Sequence, residues 1–339
     1  MSFSLCRYAL PWSLVASLAA IALLSSPTSA QQSSPAHMRA SVNAQATPIT
    51  PRRGHTLAGA SQGNVIQVAL RQSQHDTAPV APLRQPTLGA QLHSEIAFVQ
   101  DLSSAAVLYD QNSDQARPIA SISKLMMALV VAESGLPMDE MLSISDEDVD
   151  RMRHSRSRLA VGTKLSRASM LHLSLMSSEN RAAHALGRHY PGGMPAFVRA
   201  MNDKARALGM RRTRFVEPTG LSEQNVSTPR DLVKLLRATT NEPLIQRYST
   251  DESHEITVGK GRSLKYNNTN RLVRNSQWDI QLSKTGFINE AGHSLVMVAR
   301  IGGRDLAIVL LNAAGSYSRI GDAVRLRKFV ETETNLAML

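Results

Sequence analysis

Three short groups of residues in this sequence can together carry out nucleophilic chemistry on a carbonyl. Ser121-Ile122-Ser123-Lys124 sets a hydroxyl and an amine three residues apart, a separation that puts both on one face of a helix. A serine hydroxyl attacks a carbonyl poorly until a base takes its proton, and a lysine serves as that base when burial or nearby cations depress its pKa. Ser121 is also read as a helix start, where unsatisfied backbone N–H groups favour developing negative charge. Ser178-Glu179-Asn180 offers a hydroxyl and an amide, able to pass a proton to a leaving amine and to hold a peptide carbonyl. Lys284-Thr285-Gly286, read as the end of a strand, offers a cation and a hydroxyl for a carboxylate, and Gly286 keeps one side of the strand clear for substrate backbone. Lys284 is also expected to help keep Lys124 neutral, because like charges lower a lysine pKa.

Each group alone has an ordinary explanation: an N-cap serine with a surface lysine, a polar helix turn, a strand end with a solvated lysine. A serine-to-lysine spacing of three is expected about once by chance in a chain of this size. Ser41-Val42-Asn43 repeats the second pattern where no chemistry is expected. The information lies in the order of the three groups and in the local structure predicted for each, a combination shared by penicillin-binding proteins and class A β-lactamases.

The elements that must position these residues are legible as hydrophobic periodicity. Order is predicted to begin near Ser94, with a β-hairpin formed by 96–99 and 105–109. A helix apolar on most faces follows from Ser121 to Glu133, ending at Ser134-Gly135. Further helical patterns cover 167–188, 194–208, 228–239 and 320–332; strand patterns cover 254–258, 279–284, 294–301 and 306–311, with Gly302-Gly303 as a tight turn. Strands at both ends enclose a helical middle. The expected class is therefore α/β of the α+β type: an antiparallel sheet flanked by helices with an inserted helical subdomain and a cleft between them.

Composition narrows the setting. Residues 1–30 carry Arg7 as their only charge, then an apolar run from Leu14 to Leu24 and the small residues Thr28-Ser29-Ala30, which predicts a secretory signal peptide cleaved after Ala30. The run is shorter than the roughly 20 residues that a membrane-spanning helix requires. Residues 31–91, rich in Gln, Ser, Ala, Thr and Pro with scattered arginines, read as a disordered basic tether, which leaves 92–339 as the catalytic domain. Cys6 is the only cysteine and is expected to leave with the signal, so neither a disulfide nor a thiolate site is available. The net charge of +11, or +10 without Arg7, suits an anionic polymer. Aromatic residues at only 4% offer little to stack on bases, and no nucleic-acid partner is expected. None of the ten histidines shows metal-ligand spacing, His172, His184 and His189 reading as surface or core residues, and no cofactor is called for.

At these motifs the chain resembles the D-alanyl-D-alanine carboxypeptidase family of low-molecular-weight penicillin-binding proteins, and within it the DD-endopeptidase branch. The stretches 119–126, 175–182, 215–221 and 283–287 carry the likeness. The resemblance implies Ser121 as nucleophile, Lys124 as its base, Ser178 and Asn180 in proton transfer and substrate holding, and Lys284 and Thr285 on the substrate carboxylate. It implies an oxyanion hole from the backbone N–H groups of Ser121 and Phe287. The implied substrate is the D-alanyl-diaminopimelate cross-link of peptidoglycan, with β-lactam antibiotics as inhibitors; the signal peptide, the missing C-terminal anchor and the basic tether make the periplasm of a Gram-negative cell the expected setting. D-alanyl-D-alanine carboxypeptidase activity stays open, because either leaving amine has a carboxylate on the adjacent carbon. The absence of a β-rich second domain and C-terminal membrane helix favours the endopeptidase reading and no stable membrane anchor. A β-lactamase would need a glutamate that activates water; Glu217 is where it would be sought, without the asparagine that accompanies it there. A non-catalytic peptidoglycan-binding or β-lactam-sensing protein is disfavoured by the intact Ser121, Lys124 and Lys284.

Overall fold

The structure is a computed structural model that describes residues 91–337; the expected signal peptide, and the tether as far as residue 90, lie outside the described residues. β1 (Ser94–Asp101) and β2 (Val107–Gln111) form the expected hairpin. A short β3 (Arg117–Pro118) leads through a 3-10 turn, Ala120–Ile122, into α1 (Ser123–Glu133). β4 (Met141–Ser143) and β5 (Lys164–Ser166) pair and enclose a long loop. The helical lobe comprises α2 (Arg167–Met176), α3 (Asn180–Arg188), α4 (Gly193–Ala207), α5 (Pro229–Thr239) and α6 (Pro243–Thr250), with β6 (Val226–Ser227) pairing back to β3 before α5. A hairpin of β7 (Ser253–Val258) and β8 (Arg262–Asn267) follows. β9 (Asp279–Ile288), β10 (Gly292–Ile301), β11 (Arg304–Ala313) and α7 (Ser316–Ala337) complete the described chain.

The main sheet is antiparallel with order β2-β1-β11-β10-β9, so strands from the two ends of the described chain interleave. Its three central strands are buried on both faces, and strict alternation divides their side chains between two cores. Ile96, Phe98, Val296, Val298, Val309 and Leu311 enter the core shared with the helical lobe. Ala97, Val99, Leu295, Met297, Ile308 and Leu310 face the opposite core, where Ala323, Leu326 and Val330 of α7 cover them. α1 runs through the larger core with every residue from Ser123 to Val131 buried, the expected fate of a helix apolar on most faces. No helix among the described residues is long and apolar enough to cross a membrane.

Two local expectations need correction. The helix expected over 167–188 is broken: α2 ends at Met176 with Ser177 as its C-cap, Ser178 takes a left-handed φ of 60°, and Glu179 is extended before α3 begins. The turn is held by the N–H of Ser177 and of Glu179, both donating to the Leu173 carbonyl. A non-glycine residue there costs on the order of 1–3 kcal/mol. Lys284 also does not end its strand; β9 continues to Ile288 in register with β10, so Lys284-Thr285-Gly286 sits within the ladder.

A buried carboxylate fastens α7 to the sheet. Asp322 accepts from the backbone N–H of His93 and Ser94 and from the Ser94 hydroxyl, at 2.7–3.1 Å, and pairs with Arg325 at 2.8 Å. Asp322→Ala strands the buried N–H and hydroxyl of Ser94. The expected loss is roughly 3 kcal/mol, on the scale of buried groups left unpaired. In urea unfolding it should appear as a lower midpoint with an unchanged slope.

Candidate active site

The chain around Ser121 is held from both sides by glycines. Ala120, just before it, has a left-handed φ of 48°, and its carbonyl accepts from the Ser123 hydroxyl at 2.9 Å, which in turn accepts from the Asn225 amide at 3.0 Å. A Cβ on Gly220, whose φ is 80°, would lie 1.9 Å from the Ala120 oxygen and 2.6 Å from the Ser121 nitrogen. A Cβ on Gly286 would lie 3.2 Å from that same nitrogen. The 3-10 turn that opens α1 is thus wedged between the 215–225 loop and β9. Only residues without a side chain permit the approach.

Two motif residues and one backbone carbonyl meet at Lys124. Its ammonium group lies 3.0 Å from Ser121 Oγ, 2.8 Å from Asn180 Oδ1 and 2.5 Å from the Thr219 carbonyl. Asn180 is steadied from its other side, donating to Ser155 Oγ at 2.9 Å. Burial drives the Lys124 pKa down to about 8, against the opposing pull of the Glu217 and Glu179 carboxylates. Desolvation is the leading cause, and the repulsion expected between the two lysines is registered on Lys284. Lys284 is pushed well below its ordinary value by its own burial, then by Lys124 and Arg319.

The second and third motifs meet at Lys284, which donates to Ser178 Oγ at 3.0 Å and to the Thr285 carbonyl at 2.8 Å. The left-handed turn at Ser178 brings its hydroxyl to this point. Thr285 Oγ1 donates to Thr269 Oγ1 at 2.7 Å. Behind β9 lies a residue that the motifs did not include: Arg319 of α7, buried, donates to the carbonyls of Gly286 at 3.1 Å and Ser294 at 3.0 Å. Among the described residues it has no carboxylate partner, its Nε is unpaired, and burial lowers its pKa only to about 10. Arg319 therefore keeps its positive charge at neutral pH. Its one sequence signal is an arginine at the start of an apolar-faced helix.

Glu217 has a different task from activating water. Its carboxylate accepts from the N–H of Thr219, Gly220 and Ser222, from the Thr219 hydroxyl and from the Asn225 amide, at 2.5–3.3 Å. These bonds bend the loop so that the Thr219 carbonyl reaches Lys124. Glu179, between the two motif residues of the second group, is also buried, and burial pushes its carboxyl up. The histidines are accounted for structurally: His172 stacks between Tyr248 and His254, His184 meets Asp148 at 2.8 Å, and His189 meets the Ala185 carbonyl at 2.9 Å. An open cleft beside Asn180 is lined by Asp150, Met152, Thr219 and Leu221.

Gly220→Ala should shift the Ser121 turn without replacing any motif residue. A displacement of about 1 Å at reacting atoms costs roughly a hundredfold in rate. We expect covalent labelling by a fluorescent penicillin to slow by about that factor. An alanine variant that labels at the wild-type rate would show that the glycine contact does not set the serine's position.

The same arrangement of sequence extends to known proteins. Residues 81–315 match the profile of the family described as D-alanyl-D-alanine carboxypeptidase. Over 252 residues the chain is 50% identical to a D-alanyl-D-alanine endopeptidase of Pseudomonas aeruginosa, covering 73% of this chain and 81% of that protein. Over 262 residues it is 47% identical to a D-alanyl-D-alanine endopeptidase of Escherichia coli, covering 77% and 83%. Among solved structures, the Streptomyces K15 DD-transpeptidase superposes with a TM-score of 0.66 at 26% identity, over 71% of this chain and 97% of that one. Penicillin-binding protein D2 from Listeria monocytogenes, in its ampicillin-bound form, gives 0.61 at 30% identity, over 72% and 98%. With a half-buried serine beside a buried lysine at the seam of sheet and helical lobe, and a family match across most of its length, the chain belongs to the D-alanyl-D-alanine carboxypeptidase family of serine DD-peptidases.

Proposed function

We propose that this protein is a peptidoglycan DD-endopeptidase that cuts D-alanyl-diaminopimelate cross-links through an acyl-enzyme on Ser121. The observation that carries the mechanism is the set of three oxygens around Lys124. A neutral amine has two N–H groups and one lone pair. With the N–H groups given to Asn180 Oδ1 and the Thr219 carbonyl, the lone pair faces Ser121 Oγ at 3.0 Å. In acylation the Ser121 oxygen attacks the D-alanyl carbonyl and its proton passes to Lys124. The C–N bond then breaks, and the leaving amine gains a proton by way of the Ser178 hydroxyl. Water releases the acyl group in the second half-reaction. The charge on the attacked oxygen falls to the backbone N–H groups of Ser121 and Phe287.

Lys284, Thr285 and Arg319 support recognition of the carboxylate beside the leaving amine, with Gly286 leaving room for its backbone. An arriving anion raises a lysine pKa, so binding opposes the downward push that burial gives Lys284. The saturated hydrogen bonding of Glu217 gives no support to a β-lactamase that activates water there. The endopeptidase names of the relatives at 50% and 47% identity favour the cross-link over a terminal D-alanine.

The protein is proposed to act in the periplasm, exported by the signal at 1–30 and carrying the basic tether at 31–91. The intact mass of the secreted protein checks this: cleavage after Ala30 leaves a chain that begins at Gln31.

Ser121→Ala should fold, take up no penicilloyl adduct by intact mass and leave cross-linked muropeptide uncut. Lys124→Arg should lose acylation nearly as fully as Lys124→Ala, because arginine does not release its proton near neutral pH. For the wild type, a base with a pKa of about 8 gives an acylation rate that climbs through neutrality and levels off above that value. An adduct on Ser121→Ala, or brisk acylation by Lys124→Arg, would overturn the assignment.

A further inference from the structure

Phe287 is a large apolar side chain left 52% exposed on the strand that carries Lys284 and Thr285. Packing within the fold does not explain it. Alternation along β9 fixes where it points. Lys284 turns to Ser178, a Cβ on Gly286 would lie 3.1 Å from Ala120 Cβ, and Ile288 packs with Ala120. Thr285 and Phe287 therefore share the other face, two residues apart, on the side from which Arg319 approaches the Gly286 carbonyl. Phe287 is also held in place. His293 lies directly opposite in the β9–β10 register, with the two rings stacked at 4.2 Å and 21°.

We propose that the Phe287 ring is a specificity-determining surface for the residue released by the reaction, favouring one with a long aliphatic arm over D-alanine. The inference rests on the reaction proposed above, in which the released residue keeps a carboxylate on the carbon next to its new amine. When that carboxylate is taken by Thr285 and the charge of Arg319, the rest of the residue lies alongside Phe287. A released D-alanine offers the ring one methyl group. A released diaminopimelate offers the methylene chain that leads to its second peptide strand, and this chain can cover the exposed ring. The buried and unpaired Nδ1 of His293 and Nε of Arg319 border the same region, so the ring is an apolar strip beside unspent polar groups. A longer amphiphilic residue matches both parts of that surface.

The test compares two substrates in wild-type, Phe287→Ala, Phe287→Leu and His293→Ala proteins: a cross-linked muropeptide dimer and a muropeptide pentapeptide ending in D-alanyl-D-alanine. Released products are resolved by mass, and penicillin acylation is followed as the reference for nucleophile chemistry. In Phe287→Ala the ratio of kcat/KM for dimer over pentapeptide should fall about tenfold, the low end of what apolar contact with methylene groups contributes. The fall should lie mainly in KM for the dimer. Leucine should restore most of the ratio, and His293→Ala, which only frees the ring, should lower it by about threefold, a smaller loss on the same scale. A general disturbance of β9 would slow both substrates and penicillin together. An active wild type whose ratio is unchanged in Phe287→Ala and His293→Ala, or variants that lose both substrates equally, overturns the inference alone. A wild type that takes up penicillin and cuts neither muropeptide overturns the underlying reaction and this inference with it.

Discussion

Two lysine side chains buried without a carboxylate partner set the terms for the rest of this site. Lys124 and Lys284 lie within the core, and neither takes part in an ion pair among the described residues. A carboxylate against Lys124 would fix its position and also fix its proton, since an adjacent anion favours the charged form. Amide and carbonyl oxygens give nearly the same geometric hold with far less electrostatic bias. Asn180 Oδ1, the Thr219 carbonyl and the Thr285 carbonyl fill that role. The nearby carboxylates are occupied otherwise, Glu217 most of all, with its charge spread over five donors of its own loop.

Holding neutral acceptors at about 3 Å requires rigid backbone, and the fold supplies it by convergence. The serine turn comes from the start of the buried α1, Asn180 from the start of α3, the Thr219 carbonyl from a loop braced by Glu217, and Lys284 from the edge strand β9. Gly220 and Gly286 let the loop and the strand approach the same peptide. The strained φ at Ser178 belongs to the same logic: a continuous helix from 167 to 188 would carry its hydroxyl away from Lys284. Local strain persists where surrounding structure overdetermines it, and here three segments do so.

The sequence makes some of this legible and hides the rest for identifiable reasons. Side chains that do chemistry by type, such as Ser121 with Lys124 or Lys284 with Thr285, stand out because their spacing matches a helix turn or a strand. The sheet is legible because Val296, Met297 and their neighbours form continuous apolar runs between turn signals. Hidden are contributions made by backbone, as with the Thr219 carbonyl, where the side chain gives no clue. Hidden too are features set by tertiary contact. Ser178 turns left-handed without the glycine that would mark it, β9 runs on through a threonine and a glycine that read as a stop, and Arg319 gains its meaning only when α7 packs behind β9. The helix 243–250 and the strand 262–267 also escaped the periodic reading, being short and mostly polar.

The pairing of β1 with β11 has a consequence for how the chain is made. Ser94 lies opposite Ala313, and Asp322 ties the start of β1 to α7, so a central strand of the sheet waits for partners more than two hundred residues downstream. Contacts at such separation must overcome loop-closure entropy before they stabilise anything, and topologies dominated by them assemble slowly. At roughly 5–20 residues per second, synthesis leaves β1 without its neighbour for ten seconds or more. For all of that interval Ile96, Phe98 and Val99 lack the sheet that will bury them. Until β11 is made, that apolar strand presents an unpaired edge that another strand could join.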